Sequence, residues 1–284
     1  MKNIFYPLSA IVLPICMMAS CQNKNEVTYG ETTWADSTDY AYVKLDIELP
    51  ADDSPVSANI RQSLLEMMDK QISETIDTTY TTPAEGPAKT ISDYAAAYGT
   101  AVLEKYTIES KEINDFRMAN NPEDAQLPLM PFSADFKLEK AYETKSYVVF
   151  HNTNSIYCGG AHPNETGAGH LTYSLADGSM LTEIVDTARL KDLQPLLRAG
   201  LEEYFQMQTD EKVNLDEVLQ LETPLVPLPK RMPYPTAEGL TFEYMQYEIA
   251  CYAVGLPTFT IPYDKIKPFL LPQARQLLLK GQEK

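Results

Sequence analysis

Histidine is almost missing from this chain. There are three, His151, His162 and His170, all between residues 151 and 170. Tryptophan occurs once, and cysteine only at Cys16, Cys21, Cys158 and Cys251. So few cysteines exclude a disulfide-rich scaffold. No His-Glu-x-x-His and no standard zinc spacing is present. Gly-x-Ser-x-Gly, Gly-x-x-x-x-Gly-Lys and Gly-x-Gly-x-x-Gly are also missing, so no hydrolase elbow, P-loop or dinucleotide fingerprint can be read. Positive charge is scarce too. Lys and Arg number 23 against 40 Asp and Glu, a formal net charge of −17. Such a surface repels nucleic acid and anionic lipid heads, and it favours cationic partners.

What is present begins with an export signal. One positive charge, Lys2, precedes a largely apolar stretch at 4–18 (IFYPLSAIVLPICMM), and Ala19-Ser20 come just before Cys21. The stretch is short for a span and is interrupted by Pro7 and Pro14. A cysteine directly after the small pair resembles a bacterial lipobox, with Met18 where leucine is usual. The expectation is a signal peptide at 1–20 and a lipidated Cys21, anchoring the chain in the cell envelope, at the outer membrane. No second apolar run approaches the roughly 20 residues a membrane-spanning helix needs. Residues 21–39 are polar and are expected to form a flexible tether. With Cys16 removed and Cys21 carrying lipid, Cys158 and Cys251 remain, and in an oxidising compartment a disulfide between them is expected.

Val43, Leu45, Ile47 and Leu49 alternate with polar residues and predict a half-buried strand. Ser54-Pro55 reads as an N-cap followed by proline in the first turn, and Val56, Ile60, Leu64, Met67, Met68 and Ile72 continue as a helical stripe. A loop is expected at 78–90, a second helix from Ile91 to about Ser110, and a break at 119–131. Residues 133–142 and 146–155 predict a hairpin around Glu143-Thr144-Lys145. Asp177-Gly178 marks a turn. Asp186-Thr187 caps a helix bearing Leu190, Leu193, Leu197, Leu201 and Phe205. The prolines at 224, 227, 229, 233 and 235 read as a stiff connection. Strands are expected at Leu240–Tyr247 and Thr258–Ile261, and a mostly helical end at 265–279. Neighbouring strands joined by hairpins predict an α+β fold with a mainly antiparallel sheet packed with helices.

The most distinctive stretch is Tyr157-Cys158-Gly159-Gly160-Ala161-His162-Pro163-Asn164. Paired glycines supply backbone angles other residues avoid, and Pro163 fixes its own φ, so a shaped loop is expected there. Asn164-Glu165-Thr166 fits a glycosylation pattern but reads as polar loop.

Several spaced motifs follow in order: Tyr173-Ser174-Leu175-x-Asp177-Gly178-x-x-Leu181-Thr182, a helix, Gly239-Leu240-Thr241-Phe242, Tyr247-Glu248-Ile249-Ala250-x-Tyr252-Ala253-x-Gly255, and Ile261-Pro262-Tyr263. Together with the loop they resemble the C-terminal domain of the RsiV extracellular region, over roughly residues 145–270. Residues 40–130 more loosely resemble the deacetylase-associated domain that often precedes it. The resemblance implies a β-grasp-like sheet and two domains, at 40–130 and 131–284. Cys158 and Cys251 stand where that family usually has small residues and proline. A bond between them would close a loop of about 90 residues, a stabilising constraint in the chain-entropy model. RsiV carries an anti-sigma segment and a membrane span that this chain lacks, so the sigma-regulating role does not transfer.

The family implies recognition, since RsiV binds lysozyme outside the cell. The leading expectation is a non-enzymatic binding module for a basic, lysozyme-like protein or a cell-wall glycan. No catalytic residue and no cofactor are assigned. The candidate binding residues are Gly159, Gly160, His162, Pro163, Asn164, Tyr247, Glu248 and Tyr252. The local alternative for His162 is a hydrogen-bonded corner. The alternatives from other classes are an envelope enzyme acting on peptidoglycan, or a zinc site using His151, His162, His170 and Cys158.

Overall fold

A computed structural model describes residues 27–75, 90–121, 123 and 127–281. The signal, Cys16, Cys21, the start of the tether and nearly all of the loop expected at 78–90 lie outside the described residues.

The chain divides into two units. One contains the described residues up to Glu139 with Asn152–Gly167, and the other contains Lys140–His151 with the residues from Ala168 onward. Among the described residues five strands form one sheet in the order β1-β2-β3-β4-β5: β1 (Tyr29–Ser37), β2 (Ala41–Pro50), β3 (Phe132–Glu143), β4 (Tyr147–Tyr157) and β5 (Asn164–Ser174). Strands β6 (Tyr234–Pro235), β7 (Gly239–Glu243) and β8 (Thr258–Pro262) form a second, antiparallel sheet. The fold is α+β, as expected.

In the first unit, Val43, Leu45, Ile47 and Leu49 are fully buried along β2. Ser54 caps α1 (Pro55–Thr75) by accepting a hydrogen bond from the Ser57 N–H at 3.1 Å, which satisfies a donor the helix itself leaves open. Ile60, Leu64 and Met68 carry the helix's buried stripe. Helix α2 (Ile91–Asn120) is capped by Thr90, whose side chain accepts from the Asp93 N–H. Between β2 and β3 the chain passes through both helices, and this crossover lets the two strands pair parallel, from Ala41 opposite Phe132 to Ile47 opposite Leu138.

Two expectations are corrected here. The polar stretch expected as tether is strand β1 from Tyr29 to Ser37, paired antiparallel with β2. Its anchor is the lone tryptophan. A Cβ built on Gly99 of α2 would meet Trp34 Cε3 at 2.1 Å, so the ring occupies the space that glycine leaves empty. Helix α2 also runs ten residues past Ser110. Ser110 Oγ donates to the Met130 carbonyl at 3.0 Å, and the Asn114 amide donates to that carbonyl at 3.2 Å while accepting from the Met130 N–H at 3.0 Å. These buried bonds fasten the helix's second half to the segment entering β3.

In the second unit, a short 3-10 turn capped by Asp186 leads into α3 (Leu190–Gln206), where Leu193, Leu197, Leu201 and Phe205 are buried as the stripe predicted. Gly200 lets α3 approach β8, since a Cβ there would stand 2.1 Å from the Phe259 ring. After α4 (Leu215–Val218) and the proline-rich connection come β6 to β8, then α5 (Tyr263–Ile266) and α6 (Pro272–Lys280). Tyr147, Val149, Leu240, Phe242, Ile261, Leu270 and Leu278 share one apolar core with α3. No helix among the described residues is long and apolar enough to cross a membrane.

Candidate functional site

The shaped loop joins β4 to β5 in the first unit. Gly159 and Gly160 have φ of 87° and 106°, the left-handed angles expected of this pair. The Tyr157 hydroxyl donates to the Gly160 carbonyl at 3.1 Å and so closes the loop on itself. His162 Nδ1 lies 3.0 Å from the Pro163 carbonyl, a local bond of the kind a structural corner makes. Asn164 begins β5, and Glu165 within it accepts from Ser155 Oγ at 2.7 Å. The stretch expected as polar loop after Pro163 is therefore strand.

Tyr247, Glu248 and Tyr252 belong to the second unit, and the structure gathers all three. The strand expected to reach Tyr247 ends at Glu243, and the chain turns instead, with the Glu248 N–H donating to the Met245 carbonyl at 3.1 Å. The Glu248 carboxylate holds this turn to the connection before β6. Oε2 accepts from the Met245 N–H at 2.8 Å, and Oε1 accepts from the Lys230 N–H at 2.6 Å. Tyr247 sits at φ 62°, and among the described residues it is the non-glycine residue with positive φ. A bulky residue rarely takes that conformation, and here the fastened turn imposes it. The result is an aromatic ring pushed outward. Tyr247 is 66% exposed, and its ring centroid lies 5.7 Å from that of Tyr252, which opens the next 3-10 turn. Beneath them Tyr244, Ile249 and Ala250 are buried.

A second cluster in this unit joins two of the histidines in an aromatic stack. His151 of β4 and His170 of β5 stack face to face with centroids 4.0 Å apart, and Tyr234 covers the other face of His170 at 3.4 Å. The buried Arg231–Glu243 ion pair, 2.8 Å long, stands beside them. Arg231 fits because Gly169 has no side chain; a Cβ there would lie 2.6 Å from Arg231 Cδ. Burial, then the charges of His151 and Arg231, depress the His170 pKa to about 3, so the ring is neutral at ordinary pH. Burial and Glu243 push Tyr234 up to about 12. The sequence set His151 and His170 together only as candidate zinc ligands; their stacking with Tyr234 beside Arg231 is made by the fold.

Stacking spends both faces of His170 on packing. Among the described residues no group of three or more His, Cys, Asp or Glu side chains gathers to hold a metal. The zinc alternative built on His151, His162, His170 and Cys158 therefore has no such group behind it among the described residues. Cys158 and Cys251 are free and exposed, one in each unit, and the expected disulfide is not formed in this structure.

These features describe an α+β chain of two units whose second unit carries an exposed, backbone-fastened tyrosine pair. Residues 183–264, which contain that pair and the Arg231–Glu243 bridge, match a family described as "Protein of unknown function (DUF3298)". Two solved structures are similar in fold. A member of the DUF3298 family from Bacteroides fragilis superposes with a TM-score of 0.65 at 17% identity, covering 88% of this chain and 96% of that one. A DUF3298 family protein from Pseudomonas aeruginosa gives a TM-score of 0.55 at 13% identity over the same shares, 88% and 96%. No curated protein matches the chain.

Proposed function

We propose that the chain is a lipid-anchored envelope protein whose second unit recognises a basic protein of the lysozyme kind, with Tyr247 and Tyr252 as the contact and no chemistry of its own. The observation that carries this reading is Tyr247. A fold rarely keeps an exposed tyrosine at φ 62° unless the ring's position is useful, and strained residues cluster at functional sites. Exposed tyrosines supply contact area at low entropic cost and are enriched at interfaces. A net charge of −17 and a pI near 4.6 select a cationic partner and speed its approach. The resemblance to the RsiV extracellular domain points the same way.

Glu248 is a positioning residue in this account, because its carboxylate is spent on two backbone amides. Gly159, Gly160, His162, Pro163 and Asn164 shape a second loop that offers mostly backbone to a partner. Anchoring falls to an acyl chain on Cys21, with the body facing the periplasm or the cell exterior.

The test is surface-based binding of lysozyme and of soluble peptidoglycan fragments to the full chain at low and high salt. Lysozyme binding that weakens steeply with salt supports the reading. Fragments that bind or are cleaved while lysozyme does not would replace it with a glycan or enzyme function. Radiolabelled palmitate entering the wild type but not Cys21→Ala checks the anchor.

A further inference from the structure

A groove of about 470 Å³ lies in the second unit, apart from the tyrosine pair in sequence and lining. Its volume falls in the range of small-molecule sites. One wall is a single face of α6, where Gln273, Gln276, Leu277 and Lys280 follow at helical spacing while Ala274 and Leu278 point into the core. The β3–β4 turn contributes Lys145 and Ser146, and the end of β5 with the turn that follows contributes Ser174, Leu175, Ala176, Asp177, Ser179 and Leu181.

The chemistry of this lining is unlike the rest of the chain. Among the described residues neither Lys145 nor Lys280 has an ion-pair partner. The one acid lining the groove, Asp177, accepts from the Ser179 N–H at 3.0 Å and from Ser179 Oγ at 2.8 Å, so the turn itself occupies its carboxylate. What remains unspent is two ammonium groups, two primary amides and the hydroxyl of Ser146, beside apolar lining from Leu175, Leu181 and Leu277; the Ser174 hydroxyl is taken up within the turn, where it accepts from the Ala176 N–H at 3.2 Å. On a chain of net charge −17, this is a local cationic, hydrogen-bonding hollow.

From this lining we infer a binding site for an acidic sugar. The lysines take the carboxylate, the glutamines and Ser146 take hydroxyls, and the leucines take the apolar face of the ring. Ammonium–carboxylate contacts are the strong, charge-assisted kind, and hydroxyl contacts set the preference for a polyol over a plain organic anion.

Ligand-observed saturation-transfer NMR on the full chain, with glucuronate and then glucose, tests this. Saturation should pass to the glucuronate ring protons and not to glucose. In the Lys145→Gln/Lys280→Gln double variant the glucuronate dissociation constant should rise at least about tenfold, with an unchanged thermal midpoint because both lysines are exposed. No transfer to glucuronate, equal transfer to glucose, or unchanged affinity in the double variant would overturn the assignment. Lysozyme binding through Tyr247 is read separately and can fail or succeed without affecting this result.

Discussion

The Tyr247 ring stands 5.7 Å from the ring of Tyr252, and it is held there by a backbone angle of 62° that a tyrosine does not choose for itself. Glu248, the next residue, imposes that angle by accepting from the amides of Met245 and Lys230. Exposure, strain and anchoring therefore meet in two adjacent residues.

Replacing Tyr247 with glycine separates binding from folding. Glycine adopts a positive φ freely, so relief of strain offsets the extra chain entropy, and stability should stay within about 1 kcal/mol of wild type. The contact ring is lost. Chemical denaturation checks the stability.

Glu248→Ala removes the fastening instead of the contact. Two amides lose a charged acceptor, and the cost should be about 2 kcal/mol. The direct readout is amide hydrogen exchange, which should accelerate at Met245 and Lys230 while remaining slow at the buried core residue Phe242 of β7.

His170 makes the chain acid-sensitive. Its folded pKa of about 3 lies below the ordinary histidine value of 6.5. Between these values the unfolded chain binds the proton and the folded chain does not, so stability is present above pH 6.5 and falls as pH drops toward 3. Asp52, which burial would raise but which bonds from Ser54, Ser57 and Thr28 bring down to about 2, adds its own loss only below its unfolded value of 3.8. From pH 6.5 to 4 the histidine should account for about 3 kcal/mol. Thermal midpoints across that window should fall in wild type and flatten in His170→Phe.

Gly99→Ala tests the packing of the first unit. The new methyl meets the Trp34 ring at 2.1 Å, and overpacking of this kind costs about 1–3 kcal/mol. Trp34 fluorescence should shift red as the ring is displaced, and denaturant unfolding should move to a lower midpoint.

Both Cys158 and Cys251 should react with an alkylating reagent in the native protein without reductant, because both thiols are free and exposed. Peptide mass mapping reads the two modifications. A linked peptide pair would restore the disulfide that the sequence suggested.

Much of the scaffold could be read before the structure. The alternation at Val43–Leu49, the Ser54 cap and the Leu193–Phe205 stripe are local patterns, and local physics forms them. Strand β1 was hidden because its sequence is polar and its anchor is one distant contact, Trp34 on Gly99. The extension of α2 depended on Asn114 reaching Met130 across a chain reversal. At the candidate site, Tyr247, Glu248 and Tyr252 could be named from their motif, but not the turn that exposes the first and consumes the second. The His151–His170–Tyr234 stack and Arg231–Glu243 are long-range contacts, which no periodicity announces.

In the proposed function the Tyr247–Tyr252 pair grips a basic protein. Calorimetric titration of lysozyme into the full wild-type chain and into Tyr247→Gly, at low ionic strength, tests it most directly. Binding to wild type should be saturable and should weaken at least about tenfold in the variant, the weight of one interface hot spot. Equal affinity in both proteins, or no heat of binding in either, would contradict it.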